Sequence, residues 1–275
     1  MFWFARREPL GAVTAAMILV LVFCAAFASV LAPYPYDAFD VSHRLLGSSA
    51  AHLFGTDEQG RDVFSRVLFG AQSSVLIGVT VVAIATTLAV SVGTLSGYLG
   101  GWLDIGIQRF VDLWLSFPGL IFVILVVAIF GNNNLVFVLT LSLLLSAGSS
   151  RIIRSTAIVV RSQPYVEAAR SLGAPQLRLV LLHILPNLLP VIIVNASIRM
   201  GEVVLLTSTL SFLGFGPPPP FPSWGRMLQE SQTQMQYHPN LAIFPGLAIV
   251  LTVYAFNMLG DALRDVLDPR LRHVR

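Results

Sequence analysis

The sequence contains few charged residues and no lysine. Charged residues make up 11% of the 275-residue chain and hydrophobic residues 55%, whereas soluble domains carry about 25% charged residues. A soluble protein of this composition would expose large apolar patches, which soluble proteins avoid. The composition therefore predicts an integral membrane protein.

The absence of lysine excludes several kinds of chemistry. All 17 basic residues are arginines, so the chain can form no P-loop lysine contact, no kinase lysine contact and no Schiff base. If the protein uses ATP, another chain is expected to bind it. The single cysteine, Cys24, also excludes an intramolecular disulfide.

The first charge-free stretch runs from Leu10 to Leu31 and follows Arg6 and Arg7. A bilayer core needs about 20 apolar residues per helix, so this stretch predicts a first span. A signal peptide is the alternative, because "AAFAS" resembles a cleavage site. The apolar region of a signal peptide is normally shorter, at about 7 to 15 residues, which favours a retained span.

The later apolar stretches predict five more spans. "GWLDIGIQRFVDLWLSFPG" interrupts them and is typical of an amphipathic interfacial or packing helix that ends near Pro118. Residues 113–150 contain no charge; this stretch is too long for one span and suits two, with "GNNN" as the turn between them. The predicted spans are 10–31, 74–98, two within 113–150, 188–212 and 241–260.

The distribution of arginines predicts the orientation. Loops on the inner side of a membrane carry the excess of arginine. With six spans and cytoplasmic termini, only Arg44, Arg61, Arg66 and Arg226 lie outside and Arg199 lies within a span, which leaves 12 of the 17 arginines inside. The sequence therefore predicts cytoplasmic termini and a cytoplasmic segment at about 161–187.

This cytoplasmic segment predicts two short helices. Pro164 suits the first position of a helix, Glu167 falls in its first turn, where a negative charge is favourable, and Gly173 suits its left-handed end. Pro175 starts the second helix, and Pro186 marks its junction with the fifth span. A helix over 164–172 is too short to be stable alone. It needs a partner surface, either on its own chain or on another protein.

The spacing in this segment resembles the EAA motif of bacterial ABC importer permeases. Three residues separate Glu167-Ala168-Ala169 from Gly173, and nine more precede His183-Ile184-Leu185-Pro186. The resemblance implies that the first helix couples the spans to a separate ATPase. The family usually has an apolar residue at the position of His183. In this departure the chain resembles the peptide and nickel branch of the family, where "HILPN" is common. The implied coupling residues are Glu167, Ala168, Ala169, Arg170, Gly173, His183, Leu185 and Pro186.

Three further stretches resemble the dipeptide, oligopeptide and nickel branch of that family. They are "FGTDEQGRDVFSRVLFGAQSSVLIG", "LSFLGFGPPPPFPSWGRML" and "FPGLAIVLTVYAFNMLGDALRDVLDPRL". The resemblance implies an all-α, six-span transmembrane bundle in the bacterial inner membrane, with a first part at 1–73, a permease core at 74–271 and a tail at 272–275. It also implies partners: a homologous permease, two ATP-binding subunits that hold ATP and magnesium, an external substrate-binding protein and membrane lipid, with no nucleic acid.

The proline-rich stretch "GPPPPFPSWG" predicts a stiff external loop. Consecutive prolines favour the extended polyproline conformation. The loop could present side chains to the binding protein, or it could plug the outer mouth of the bundle. The candidate docking residues are Pro217, Pro218, Pro219, Pro220, Phe221 and Trp224.

Asn195, Arg199 and Glu202 share one face of the fifth predicted span. Ionisable groups within a membrane usually face a polar interior, so the three predict part of a translocation path. The alternative is a structural Arg199–Glu202 pair. The permeases that this chain resembles often carry an acidic residue near position 206 or 207, where this chain has leucine and threonine.

The remaining polar residues do not predict catalysis. The five histidines are scattered without metal-ligand spacing, so we expect no metal site. Asp57, Glu58, Arg61 and Asp62 predict a capped, salt-bridged start of the second span. The expected function is ATP-driven import of di- or oligopeptides by a non-enzymatic subunit. The alternatives are import of nickel or another small solute, and an ion-coupled secondary transporter.

Overall fold

The computed structural model describes residues 9–218 and 220–267, and helices dominate it, as the sequence predicts. The helices begin and end at turn-forming and capping residues of the sequence. A 3-10 turn at Val41–His43 and a π-helical turn at Val180–Ile184 accompany them. In these residues the α-helices are α1 Pro9–Ala26, α2 Ala28–Leu31, α3 Val63–Leu99, α4 Gly101–Leu115, α5 Gly119–Phe130, α6 Asn134–Arg161, α7 Pro164–Ser171, α8 Gln176–Leu179, α9 Leu185–Phe212, α10 Trp224–Ser231 and α11 Asn240–Leu267.

Four stretches of helix in the described residues are long and apolar enough to cross a membrane: α3, α6, α11 and the run Gln176–Phe212 that includes α8 and α9. They match four of the six predicted spans. The apolar helix α1 is shorter, and α2 continues it to Leu31 after a break at Phe27. The count of six spans and the cytoplasmic termini stay predictions; the predicted tail at 272–275 lies outside the described residues.

The third predicted span differs from expectation. The amphipathic helix α4 ends just before Pro118, as predicted, but α5 has only 12 residues, which is about 18 Å of helix against about 30 Å of bilayer core. Helices α4 and α5 meet at 81° and reach the length of a span only together. The hydropathy of residues 113–130 gave no sign that Pro118 divides the apolar stretch between two helix directions.

The bundle is organised around close packing of α3 on α6. A Cβ on Gly93 would lie 2.5 Å from the carbonyl oxygen of Ser150, and one on Gly97 would lie 2.7 Å from that of Arg154. Two glycines four residues apart allow helix backbones to approach in this way. Around this contact, the central core joins side chains of α3, α5, α6, α9 and α11, among them Val81, Val123, Phe137, Leu141, Val203 and Phe256.

Helix α3 also separates the two ends of the bundle. Its 37 residues span about 55 Å. Near its start, Val67 accepts a hydrogen bond from Trp224 of α10. Near its end, Tyr98 accepts one from Arg161 at the start of the loop that holds α7. The EAA-like segment and the α10 loop therefore lie at opposite ends of the molecule.

Candidate functional site

Helix α7 begins and ends as its sequence predicts. Pro164 occupies its first turn and Glu167 follows in the same turn. At the other end, Gly173 has φ of +81°, its N–H donates to the carbonyl of Arg170 at 3.0 Å, and the N–H of Ala174 donates to that of Ala169 at 3.2 Å. These two bonds form a Schellman motif, which terminates the helix by satisfying its last carbonyls.

One narrow face of α7 holds it on the bundle. Val166 is fully buried, and Ala169 and Ala174 pack against a cluster of residues from α3, α6 and the start of α9. Arg161 fixes the base of the loop, because its guanidinium donates to the carbonyl of Tyr98 at 2.6 Å. A cation at that position also complements the negative end of the α3 dipole.

The opposite face of α7 is exposed. Glu167, Ala168 and Arg170 lie on the surface, and the side chain of Leu172 is 88% exposed. A Cβ added at Gly173 would contact nothing within 4 Å. Here a short helix, held at its base, presents charged and apolar side chains together.

The helix continues from α8 into α9 through an irregular turn. The N–H of Leu185 bonds to the carbonyl of Val180, five residues earlier, and the amide of Asn187 donates to the carbonyl of His183 at 2.7 Å. Pro186 has no N–H to offer the carbonyl four residues before it, so the helix adjusts at this point. His183 and Leu185 are half-buried and Pro186 is exposed, so these predicted coupling residues lie at the junction of α7–α8 with the α9 span.

Farther along α9, the structure brings Arg199 and Glu202 together. Their side chains form an ion pair, and Nε of Arg199 donates to the hydroxyl of Ser149 on α6 at 3.0 Å. Asn195 lies half-buried one turn earlier. The side chain of Glu202 is 41% exposed, so this chain alone does not enclose the pair.

In the proline-rich loop, the structure contradicts one prediction. Trp224 is only 1% exposed; its Nε1 donates to Val67 at 3.0 Å, and a Cβ on Gly70 would come within 2.7 Å of its ring. The prediction that Trp224 is presented for docking is therefore wrong, because this indole anchors α10 to α3. Phe221 is 50% exposed and stacks on Tyr36 with ring centroids 5.2 Å apart.

The prolines of this loop differ in burial. Pro217 is buried, Pro218 is half-buried and Pro220 is exposed, and Pro219 lies outside the described residues. The sequence predicts that the whole stretch "GPPPPFPSWG" is non-helical; this is wrong for its last two residues, because helix α10 begins at Trp224.

The start of α3 is capped and salt-bridged, as predicted. Asp62 accepts a hydrogen bond from the N–H of Ser65 at 2.8 Å, and Asp57 accepts from Arg61 at 2.7 Å and from Arg66 at 2.5 Å. Sequence reasoning missed the distant partner, Glu230 of α10, which contacts both arginines at 2.8 Å. No short-range pattern connects residues so far apart in the chain.

The described residues contain no group of three or more histidine, cysteine, aspartate or glutamate side chains that could hold a metal ion.

Comparison with known proteins supplies the family. A sequence model of the family described as "Binding-protein-dependent transport system inner membrane component" matches residues 89–273. Relatives named "Glutathione transport system permease protein GsiD" from Escherichia coli O6:K15:H31 (strain 536 / UPEC) and Shigella boydii serotype 4 (strain Sb227) are each 41% identical over 98% of this chain and 90% of the relative. A protein of that name from Pectobacterium atrosepticum is 39% identical over 97% of this chain and 89% of its own length.

Proposed function

Because the chain belongs to the family of binding-protein-dependent transport system inner membrane components, we propose that it imports a peptide-like solute and that α7 couples it to an ATPase. The family makes it a permease subunit of an ABC importer in the inner membrane, and a transport component of that system. Such a system implies ATPase and substrate-binding partners. The finer assignments below are our proposal.

The exposed face of α7 carries the coupling proposal. A helix of eight residues gains little stability from its own backbone, and here only a narrow face around Val166 rests on the bundle. The remaining surface combines Glu167, Arg170 and the 88% exposed Leu172. A second protein that covers it would bury the leucine and meet both charges, and an ATPase subunit fits this description because the chain has no lysine for a P-loop of its own.

The same geometry connects α7 mechanically to the long helix α9. A displacement of α7 reaches α9 through α8 and the turn at Val180–Ile184, since the helical run is continuous from Gln176 to Phe212. Arg199 and Glu202 lie on that run. We propose that they border the translocation path, where Glu202 remains partly exposed; a purely structural ion pair is the alternative.

We further propose six spans with both termini in the cytoplasm. In this arrangement α1 and α2 form the first span and the bent pair α4–α5 forms the third. The arginine-rich end with α7 then faces the cytoplasm, and α10 with the proline-rich loop faces outward. Two ATP-binding subunits, which hold ATP and magnesium, would dock inside, and a homologous permease would complete the path.

For the solute we propose a small peptide. The support is the printed name of relatives at 41% identity, which refers to glutathione transport. Dipeptides, longer peptides and nickel are the other solutes to compare.

Uptake by reconstituted vesicles tests this function. The chain is co-purified with its permease and ATPase subunits, and vesicles are supplied with the binding protein and radiolabelled glutathione, a dipeptide or nickel. We expect peptide uptake that requires ATP and stops when the ATPase subunits are omitted. Uptake driven by an ion gradient without those subunits would instead establish a secondary transporter, and ATP-dependent uptake of nickel alone would overturn the peptide assignment.

A further inference from the structure

A cleft of about 600 Å³ opens at the α10 end of the bundle. This volume lies within the range of about 300–1,000 Å³ that is typical of small-molecule sites. The start of α3, the turn after α5, the proline-rich loop and α10 all contribute to its wall. Its ionisable lining residues are Arg61, Arg66, Arg226 and Glu230, and its other polar side chains are Gln59, Asn132 and Gln229.

The charges around the cleft do not balance. Arg61 and Arg66 each contact Asp57 and Glu230, so two carboxylates are shared by two arginines. Arg226 adds a third guanidinium. The lining of the cleft itself therefore has three arginines and one carboxylate, Glu230, while Asp57 and Glu58 line an adjoining pocket.

Arg226 has incomplete hydrogen bonds, and so does Arg66. One of its terminal nitrogens, Nη2, donates to the carbonyl of Pro217. The other, Nη1, is buried and has no acceptor within the described part of the chain, and the same is true of Nε of Arg66. A buried guanidinium N–H without an acceptor is costly, so both arginines retain unused hydrogen-bonding capacity beside the cleft.

The electrostatic environment of Arg226 also favours an anionic partner. Burial lowers the pKa of its guanidinium, the nearby charge of Glu230 raises it, and the charges of Arg66 and Arg61 lower it further. An added anion would offset the burial and the repulsion, since a nearby opposite charge stabilises the charged form. Arginine is also the side chain whose planar fork best matches a carboxylate.

The geometry points to this cleft as a binding site for the carboxylate of a small peptide, with Arg226 as its principal charged contact. The peptide class rests on the proposed function. A transported solute suits the cleft better than an acidic side chain of a docked protein does, because the cavity has the size of a whole small ligand. The amides of Gln59, Asn132 and Gln229 offer donors and acceptors for a peptide backbone.

Equilibrium binding without ATP tests this site. The complex of this chain with its permease and ATPase subunits is placed in lipid nanodiscs without the binding protein. The probes are radiolabelled tri-alanine and tri-alanine amide, which differ only in the C-terminal carboxylate. We expect tri-alanine to bind more tightly, and Arg226→Gln to weaken it roughly tenfold or more, as loss of a charged hydrogen bond does, while binding of the amide stays within about twofold.

Two further variants serve as controls. Arg44→Gln removes an exposed arginine on the same side of the predicted topology but outside the cleft, and it should bind both probes normally. Arg226→Lys retains the charge and should recover part of the preference for the carboxylate. Yield and thermal stability of each purified complex show that it is folded.

Several results would overturn the inference. They are absence of tri-alanine binding to the unaltered complex, equal losses for acid and amide in Arg226→Gln, and equal effects of Arg44→Gln and Arg226→Gln. If Arg226→Gln leaves tri-alanine binding unchanged but weakens docking of the binding protein when that protein is added to the same nanodiscs, the carboxylate comes from that protein and the solute site is likewise excluded. The proposed function is judged separately, since ATP-dependent peptide uptake can persist without this site, and the site can bind tri-alanine even if no peptide is imported.

Discussion

Gly173 offers the sharpest test of the proposed coupling role of α7. We expect Gly173→Val to abolish or strongly reduce ATP-dependent uptake while the chain inserts normally. A β-branched residue is disfavoured at the φ of +81° that the Schellman motif requires. The matched variant is Gly173→Asn, since asparagine has a side chain of similar size but enters the left-handed conformation more readily.

The open surroundings of Gly173 allow the magnitude to be worked out. A Cβ there would contact nothing within 4 Å, so the cost is that of the backbone conformation and not of a collision. That cost is about 1–2 kcal/mol for a residue with a side chain, and more for valine. If the chain avoids it by leaving the left-handed conformation, the bonds from Gly173 to Arg170 and from Ala174 to Ala169 are lost. A change of 1–2 kcal/mol lowers the ratio of ordered to disordered helix ends about 5- to 30-fold.

The assay compares three quantities for each variant: the amount of inserted chain, the ATPase subunits that co-purify with it, and ATP-dependent uptake. For Gly173→Val we expect normal insertion with loss of either the ATPase subunits or uptake, and for Gly173→Asn values near those of the unaltered chain. Normal ATPase retention and uptake in Gly173→Val would refute the coupling role of α7. An equal loss in both variants would show that contact with the added side chain matters, not the backbone conformation.

Four other predictions concern the spans and the outer loop. A reporter fused after Arg275 should be active only as a cytoplasmic reporter, and periplasmic activity would exclude termini inside. Trp224→Ala should lower stability by about 3–5 kcal/mol and reduce the yield of folded protein, whereas Phe221→Ala, at a half-exposed site, should leave the yield unchanged; equal yields would contradict the anchoring role. Replacement of 217–220 by Gly/Ser should weaken stimulation of ATP hydrolysis by the loaded binding protein, and unchanged stimulation would favour a plug. Glu202→Gln should reduce uptake more than it reduces yield if the ion pair borders the path; a loss of yield alone would make the pair structural.

The parts of the site that the sequence predicts well are governed by short-range rules. Pro164, Glu167 and Gly173 each determine the conformation within one turn of themselves, so the bounds of α7 follow from the residues alone. The cap of α3 at Asp62 is equally local. Hydropathy over about 20 residues likewise identified α3, α6, α9 and α11.

The parts that it predicts poorly depend on contacts between distant residues. Trp224 is buried because Gly70, more than 150 positions earlier, leaves room for its indole. Glu230 joins the arginines before α3 by the same kind of long-range packing. The bend between α4 and α5 was missed for another reason: hydropathy measures the length of an apolar stretch but not the direction in which its helices run.

The contact at Gly93 and Gly97 limits how this protein can change shape. At these two glycines the helices are so close that a Cβ would collide with main-chain oxygens of α6, which restricts relative movement of α3 and α6 there. We expect helices α3 and α6 to move together, as a pair about 55 Å long on the α3 side. The remaining freedom lies where side chains form the interface, as between α9 and α6 at Arg199 and Ser149. The motion that we expect of this architecture is sliding of α9 against α6, combined with tilting of the α3–α6 pair as a whole.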